Sequence, residues 1–586
     1  MSSMAAEKFL PIGRIQNEPQ VESSVVGALV DHLADLGVEQ AFGVSGGAVA
    51  LLFDALAESQ HIELSHFRHE TGAAFAATEA HFVTRQPTVV FATTGPGTLN
   101  ALTGIAAARW DGAKVILISG STSGAQRGRW ATQETSSYTM PMDSLYSQGQ
   151  IFDFALRMES AAEFPEVARR LALGLSRPGR FVAHISIPMG IQGQRVDLPR
   201  QRGRVVLAPP APTPDLIDEC VRRFSQETFA VWAGFGATEA APLVRELVER
   251  TGARAFCSPR AKGILPEDHP NYLGVSGIGG HEAVVDYMTQ EKPDWVLVLG
   301  TRLGEPTSFW DRDMVPAKGF IHVDIDPEVP GTSFPEADTL GIHADTTAFL
   351  EALLAALPTK PRRDLPRVLT ERAEMPITLP IRDRAPVRPQ VVMQGIQRRI
   401  LQKSDALILA ECGNAFAWAN HYLSFQEPAR YRVSTLFGSM GHASAGVVGA
   451  AMARGGKAVA IAGDGSMLMN SEISTAVAHQ AQAVWIVLND AAYGMCRSGH
   501  AALGLTDQGV DIPQVDFVTL ARSQGADGAL VEVESDLEAA LEAAMAAPGP
   551  FVVDVRIDPT EISPLFRRFE SLINQGNSKN VAGWES

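Results

Sequence analysis

Short runs that are apolar at nearly every position recur along the chain, each ending in small or polar residues. The first set is 40–47 (QAFGVSGG), 88–97 (TVVFATTGPG), 114–121 (KVILISGS) and 180–188 (RFVAHISIP), separated by apolar segments of helical period such as 25–36. Runs without polar alternation predict strands buried on both faces, and their alternation with helices predicts a parallel, doubly wound sheet. A second set comprises 229–237, 253–263, 295–304 and 319–329. A third holds 406–415, 431–441, 458–462, 483–488 and 551–559. Stretches rich in Arg, Pro and Gln at 192–213 and 358–389 predict linkers. The expected organisation is a flexible tail (1–20), three α/β units (21–191, 214–357 and 390–570) and a polar C-terminal tail (571–586) that is mobile or folds over a site.

Composition adds only exclusions. A chain of 586 residues with 45% hydrophobic and 20% charged residues suits several globular domains. Its net charge of −17 argues against a nucleic-acid surface. Cys220, Cys257, Cys412 and Cys496 are far apart and form no CxxC pair, so neither a zinc site nor a disulfide framework is indicated. No apolar run approaches the ~18 residues that span a bilayer, and MSSMAAEKFLPIG lacks a targeting pattern. A cytoplasmic protein is expected.

The chemistry concentrates late. The run 458–462 stops at Gly463-Asp464-Gly465-Ser466; a helix-length segment follows, and the run 483–488 stops at Asn489-Asp490. Two strand ends one helix apart predict a βαβ unit with both polar tips on the same sheet edge, where open α/β sheets bind ligands. Oxygen-rich tips around a glycine turn suit a hard cation such as Mg²⁺ holding a phosphate. Gly413-Asn414-Ala415-Phe416 follows another strand-like run; it offers backbone N–H donors to a phosphate, or is a plain turn. Glu70 begins an Ala-rich helical segment, where a carboxylate is favoured by the helix N-terminus. The segment 234–240 (GFGATEA) lacks the third glycine of a dinucleotide fingerprint, which disfavours a nicotinamide enzyme.

The Gly-Asp-Gly turn, its spacer and the second strand end resemble the signature of thiamine-diphosphate enzymes. The order of units resembles their acetolactate-synthase-like branch over nearly the whole chain, and 259–277 (PRAKGILPEDHPNYLGVSG) and 438–453 (GSMGHASAGVVGAAMA) resemble segments of that branch. The resemblance implies three doubly wound domains: pyrimidine-binding, central and diphosphate-binding. It implies that Asp464, Asp490 and the carbonyl of Ala492 hold Mg²⁺, with Asp490 standing where the family has a second Asn. Gly413, Asn414, Ala415, Gly465 and Ser466 would receive the diphosphate. Gly438, through its carbonyl, and Met440 would position the cofactor rings. Glu70, in the RHE position, would exchange a proton with N1′ of the aminopyrimidine, so that the 4′-imino nitrogen can take the proton from thiazolium C2.

On the acceptor side, Gln133 in RWATQETSS resembles the Gln that approaches the reacting carbon, and Gly95-Pro96-Gly97 with Asn100 resembles the GPGATN loop. Arg497 corresponds to an Arg placed to hold a substrate carboxylate; His69, His442 and His500 are candidate proton shuttles or plain structural histidines. Gly499 stands where acetolactate synthases carry an acceptor-shaping Trp, and Gly441-His442-Ala443 departs from their GFG. FAD, often carried by such central domains, stays open, because 300–310 (GTRLGEPTSFW) lacks the family pattern beyond Arg302. The resemblance thus implies decarboxylation of a 2-oxo acid, pyruvate first, with transfer of the acyl unit to a second carbonyl compound. It leaves open cleavage of a 2-hydroxy ketone or diketone, simple decarboxylation, and a non-catalytic cofactor-binding protein. A homodimer or homotetramer with interfacial active sites is expected.

Overall fold

Parallel pairing of the buried runs produces three six-stranded sheets. The computed structural model describes residues 22–139, 143–149, 151–197, 207–358, 378–469, 471–506 and 508–576. The first sheet runs Glu63–His66, Gln40–Gly43, Thr88–Ala92, Lys114–Ser121, Phe181–Pro188, Phe154–Arg157. The second runs Tyr272–Val275, Arg254–Cys257, Phe229–Ala233, Trp295–Leu299, Gly319–Asp324, Thr339–His343. The third runs Tyr431–Val433, Leu407–Ala410, Ala458–Gly463, Ala483–Asn489, Phe551–Arg556, Asp527–Val531. The first and third share one strand order, whereas the second has the order of dinucleotide-binding folds.

Every apolar run named above contains a strand. The strands that patterning did not mark, Glu63–His66, Phe154–Arg157, Tyr272–Val275, Thr339–His343 and Asp527–Val531, are all edge strands. An edge strand pairs on one side only and tolerates polar positions, so it carries a weaker apolar signal. Two further differences concern the stretches expected to be irregular. Arg195–Asp197, inside the expected first linker, pairs antiparallel with Glu22–Ser24. The expected tail at 571 is instead the second half of a helix, Phe566–Gly576. Arg567 of that helix donates to Asp311 at 3.1 Å and Glu282 at 2.9 Å, and Arg568 pairs with Glu305, clasping the chain end to the second unit. The tail 1–20 and residues 577–586 lie outside the described residues, as do 198–206 and 359–377 of the expected linkers. No described helix is long and apolar enough to cross a membrane.

The first and third units meet through equivalent helices, Glu70–Thr84 and His442–Arg454, each following the edge strand that comes second in chain order within its sheet. Small residues let the backbones approach closely. A Cβ on Gly449 would lie 2.3 Å from the carbonyl oxygen of Ala76, and one on Gly104, in helix Pro96–Asp111, would lie 2.4 Å from Ala74 Cβ. The shared core, in which Ala73, Ala77 and Ala80 join Ala443, Val447 and Ala451, explains the Ala-rich composition of both segments. Into this contact the chain buries an ionic triad. Arg432 donates to Glu79 at 2.9 and 3.1 Å, and the His442 ring lies 2.9 Å from the same carboxylate. The Arg432 guanidinium also covers the rings of Phe82 and Phe235, the latter from the second unit. Glu79→Ala would leave Arg432 buried without its counter-charge. A loss of about 3–5 kcal/mol is expected, seen as a lower denaturation midpoint.

In the second sheet, burial pushes the Asp324 carboxyl up from 3.8 to about 6. A raised value means the folded state holds that proton more tightly than the unfolded chain. The group's stabilisation is therefore full below about pH 4 and is lost as pH rises through about 6, a swing of roughly 3 kcal/mol. Asp324→Asn keeps an oxygen to accept the Asp326 amide, now bonded at 2.9 Å. The variant is expected to be more stable than wild type at pH 8, with no such advantage at pH 4, by denaturant unfolding at both values.

Candidate active site

Residues selected from the sequence fall into two groups in the folded chain. The first gathers at the polar edge of the first sheet. Strand Glu63–His66 ends, the chain turns, and helix Glu70–Thr84 begins with the His69 side chain accepting the Thr71 amide. Glu70 is buried, and its Oε2 accepts a hydrogen bond from Asn100 Nδ2 at 3.1 Å. The Asn100 carbonyl is held in turn by the Thr71 hydroxyl. Asn100 rides on helix Pro96–Asp111, which starts at Gly95 with φ +66°. A side chain at Gly97 would displace its neighbours, because a Cβ there would lie 2.8 Å from Thr93 Cγ2 and 2.9 Å from Glu70 Oε1. Gln133 is exposed, in left-handed backbone at φ +60°, and its carbonyl accepts from the Thr94 hydroxyl at 3.3 Å. Glu70, Asn100, the Gly95–Gly97 turn and Gln133 therefore share one loop cluster.

The second group sits at the C-terminal tips of three adjacent strands, Leu407–Ala410, Ala458–Gly463 and Ala483–Asn489. The expected βαβ unit is present, with Gly463 in register with Leu488. Asp464 opens helix Asp464–Met469 and is buried; it accepts from the Gly465 amide at 2.7 Å and the Ala492 amide at 3.3 Å. Burial, and then the Asp490 carboxylate, push the Asp464 carboxyl up to about 6, and burial also raises Asp490. A buried Asp464 and a half-buried Asp490 whose charge disfavours that of Asp464, beside a pinned Ala492 peptide, form an oxygen donor set suited to a divalent cation. Among the described residues no cluster of three or more His, Cys, Asp or Glu side chains competes for a metal.

Around this pair the remaining candidates assemble. Gly413, at φ +95°, precedes helix Asn414–Tyr422, whose start no side chain caps, and a Cβ on Gly413 would meet nothing within 4 Å. Open amides at a helix start fit a phosphate group. Ala415 and Ser466 are buried in the first turns of the two helices. Asn414 and Asp490 flank Gly494: a Cβ there would lie 2.8 Å from Asn414 Nδ2 and 3.0 Å from Asp490 Oδ2. Gly465 is equally constrained, with the Tyr493 ring in the space a side chain would occupy and the Met440 methyl in contact with it at 3.5 Å. Met440 is thus beside the Gly-Asp-Gly turn rather than in a core, and Gly438, at φ +60°, is open and exposed.

The histidines and Arg497 are placed less simply. His442 is buried in the triad with Glu79, with its ring against Phe75, so a solvent-linked proton shuttle is not what its surroundings support. His500 is half-buried on helix Gly494–Ala502, and its Nδ1 has no hydrogen-bond partner among the described residues. Arg497 on the same helix is paired with the exposed Asp511 at 2.5 Å, and a substrate carboxylate would have to displace that partner. Two contributors were not legible in the sequence: Tyr493, packed on the Gly-Asp-Gly turn, and Glu472, which reaches across to the first group.

A cavity of about 170 Å³ separates the second and third units, bounded by Ser276, Gly277, His281, Thr307, Tyr422 and Arg568 among others. It is small beside the roughly 300–1,000 Å³ of typical ligand pockets. Arg302, the residue retained from the flavin pattern, donates instead to the Trp110 carbonyl at 2.7 Å.

Comparison with known proteins agrees with this geometry. Residues 24–140, 224–353 and 411–555 match the N-terminal TPP binding, central and C-terminal TPP binding domains of thiamine pyrophosphate enzymes. Acetolactate synthase isozyme 1 large subunit of Escherichia coli is 28% identical over 548 residues, covering 91% of this chain and 94% of that one. Acetolactate synthase 1, chloroplastic, of Zea mays is 27% identical over 584 residues, covering 94% and 89%. Among solved structures, benzoylformate decarboxylase from Polynucleobacter necessarius superposes with a TM-score of 0.81 at 19% identity, covering 92% of this chain and 100% of that one. The chain belongs to the thiamine pyrophosphate enzyme family and is a thiamine-diphosphate-dependent enzyme of its acetolactate-synthase-like branch.

Proposed function

We propose that this enzyme decarboxylates a 2-oxo acid, pyruvate first, and transfers the remaining acyl unit to a second carbonyl compound. The observation that carries the reading is the loop cluster in which the Glu70–Asn100 pair and the exposed Gln133 lie together. Bound thiamine diphosphate supplies a carbon nucleophile and an electron sink that allow the carboxylate to leave as CO₂. Asp464, Asp490 and the Ala492 carbonyl would hold Mg²⁺. The amides of Gly413–Ala415 and Ser466 would hold the diphosphate, beside Gly465 whose own amide is given to Asp464, and Met440 with the Gly438 carbonyl would set the rings. Glu70 holds and releases a proton at Oε1, while Asn100 fixes Oε2. Gln133 offers its carboxamide to the acceptor carbonyl.

We further infer that two copies of the chain complete each site, in a homodimer or homotetramer. Large apolar side chains stand exposed beside both groups: Trp130 and Tyr138 near Gln133, and Leu468 and Met469 at the end of the Asp464 helix. Such surface is costly in water unless covered.

Purified protein with thiamine diphosphate, Mg²⁺ and pyruvate is expected to release CO₂ and form a coupled acyl product. An aldehyde as the sole product would instead establish simple decarboxylation. The open space at Gly499, where a Cβ would meet none of the described residues within 4 Å, supports a second reading, cleavage of a bulkier 2-hydroxy ketone or diketone. Product analysis with such substrates distinguishes the two.

A further inference from the structure

We infer that Glu472 is a positioning residue for Glu70, supplying from the third unit the carboxylate that closes the helix start on which Glu70 sits; this rests on the reading of Glu70 given above. A helix N-terminus leaves backbone N–H groups without intrahelical partners. In a capping box, a Glu or Gln at the third helical position folds back to satisfy the amide of the capping residue. Helix Glu70–Thr84 is capped by His69, and its third position is Gly72, which has no side chain to do this. Glu472, about 400 residues away, takes that place. Its Oε1 accepts the His69 amide at 3.0 Å and its Oε2 accepts the Arg68 amide at 3.1 Å.

The clamp is built rather than incidental. Glu472 is 5% exposed and adopts left-handed backbone at φ +51°, a conformation a non-glycine residue holds only where its surroundings over-determine it. The Thr475 hydroxyl donates to Oε2, and Arg68 Nε donates to Ser474 Oγ at 3.1 Å. Both clamped amides belong to the residues immediately before Glu70. The same stretch of chain, just upstream, carries Asp464 and its helix. The segment that would bind metal and diphosphate is thereby tied to the turn that orients the proton-handling carboxylate of the first unit. An anionic side chain at this helix start is also electrostatically favourable.

The test uses the full-length chain carrying Glu472→Ala or the milder Glu472→Gln. Without cofactor, amide hydrogen exchange should show the Arg68 and His69 amides losing protection in the Ala variant and partly in the Gln variant. Unchanged protection would overturn the clamp. With thiamine diphosphate and Mg²⁺, hydrogen–deuterium exchange at cofactor C2 should slow about 10–100-fold in the Ala variant, with an intermediate effect for Gln. Cofactor Kd should move less than about 3-fold. Loss of amide protection with unaltered C2 exchange would overturn the positioning role and leave only a structural contact. C2 exchange needs no substrate, so a wild-type protein that fails on pyruvate but accelerates this exchange refutes the choice of substrate, not the clamp. A wild type that does not accelerate it refutes the role of Glu70 itself and the positioning role with it.

Discussion

Glu70→Gln is expected to lower kcat for CO₂ release about 10²–10⁴-fold while leaving thiamine diphosphate binding nearly unchanged. Gln has almost the same shape, and its carbonyl oxygen can still accept the Asn100 hydrogen bond that now fixes Glu70 Oε2. What it cannot do is hold and release a proton, so the loss falls on turnover and not on the fit of the first unit. The equivalent barrier increase is about 3–5 kcal/mol. Steady-state turnover beside cofactor titration by intrinsic fluorescence checks the split. Turnover equal to wild type would remove Glu70 from the mechanism, and a parallel loss of cofactor affinity would make it a binding residue.

Asp464→Asn should produce two effects of opposite sign. In the metal-free chain, burial and the neighbouring Asp490 carboxylate make an ionised Asp464 unfavourable, which is why its carboxyl is pushed up to about 6. Asn removes that charge and keeps one oxygen for the Gly465 amide, giving up only the longer 3.3 Å bond from the Ala492 amide, so the metal-free protein is expected to melt at a higher temperature at pH 8. With Mg²⁺ and thiamine diphosphate present the ranking should reverse. The anionic ligand becomes a neutral amide oxygen at the position where the family carries Asp, and metal affinity should fall by the ~10–100-fold that removal of an outer partner costs. Thermal melts with EDTA and with saturating cofactor, read together with Mg²⁺-dependent activity, test both arms. Asp490→Asn restores the paired asparagines of the family. It should share the metal-free gain with a smaller loss of metal affinity, because Asn oxygen remains a competent ligand.

The strands that patterning revealed and those it missed have one physical distinction. Ala458–Gly463 and Ala483–Asn489 are interior strands, flanked on both sides and buried on both faces, so almost every position is apolar. Glu63–His66 is an edge strand with an exposed Glu63, and four residues of mixed character carry no usable period. Its absence from the pattern did not hide Glu70, whose helix is marked by composition. The Ala-rich faces of 70–84 and 442–454 announce helices, but not that they face each other. That became clear only with Gly449 against Ala76 and with Arg432 and His442 closing on Glu79. His442 shows the cost of reading a histidine by its neighbours in sequence: it lies two residues from Met440, yet its ring turns into the triad.

Local chemistry is what the sequence by itself determined. Strand-ending turns at Gly-Asp-Gly, Asn489-Asp490 and Gly413 are specified within a few residues, because glycine permits the left-handed or crowded backbone and the oxygen ligands follow directly in the chain. Three parallel α/β units follow from the same short-range periodicity. The tertiary structure alone decided which distant groups meet. The Tyr493 ring on Gly465, the Glu79 triad and the Glu472 clamp on the Glu70 turn each depend on helices and sheets being packed in a definite register. Such contacts are set by the volume and shape of buried side chains summed over whole interfaces, and no single stretch of sequence carries that information.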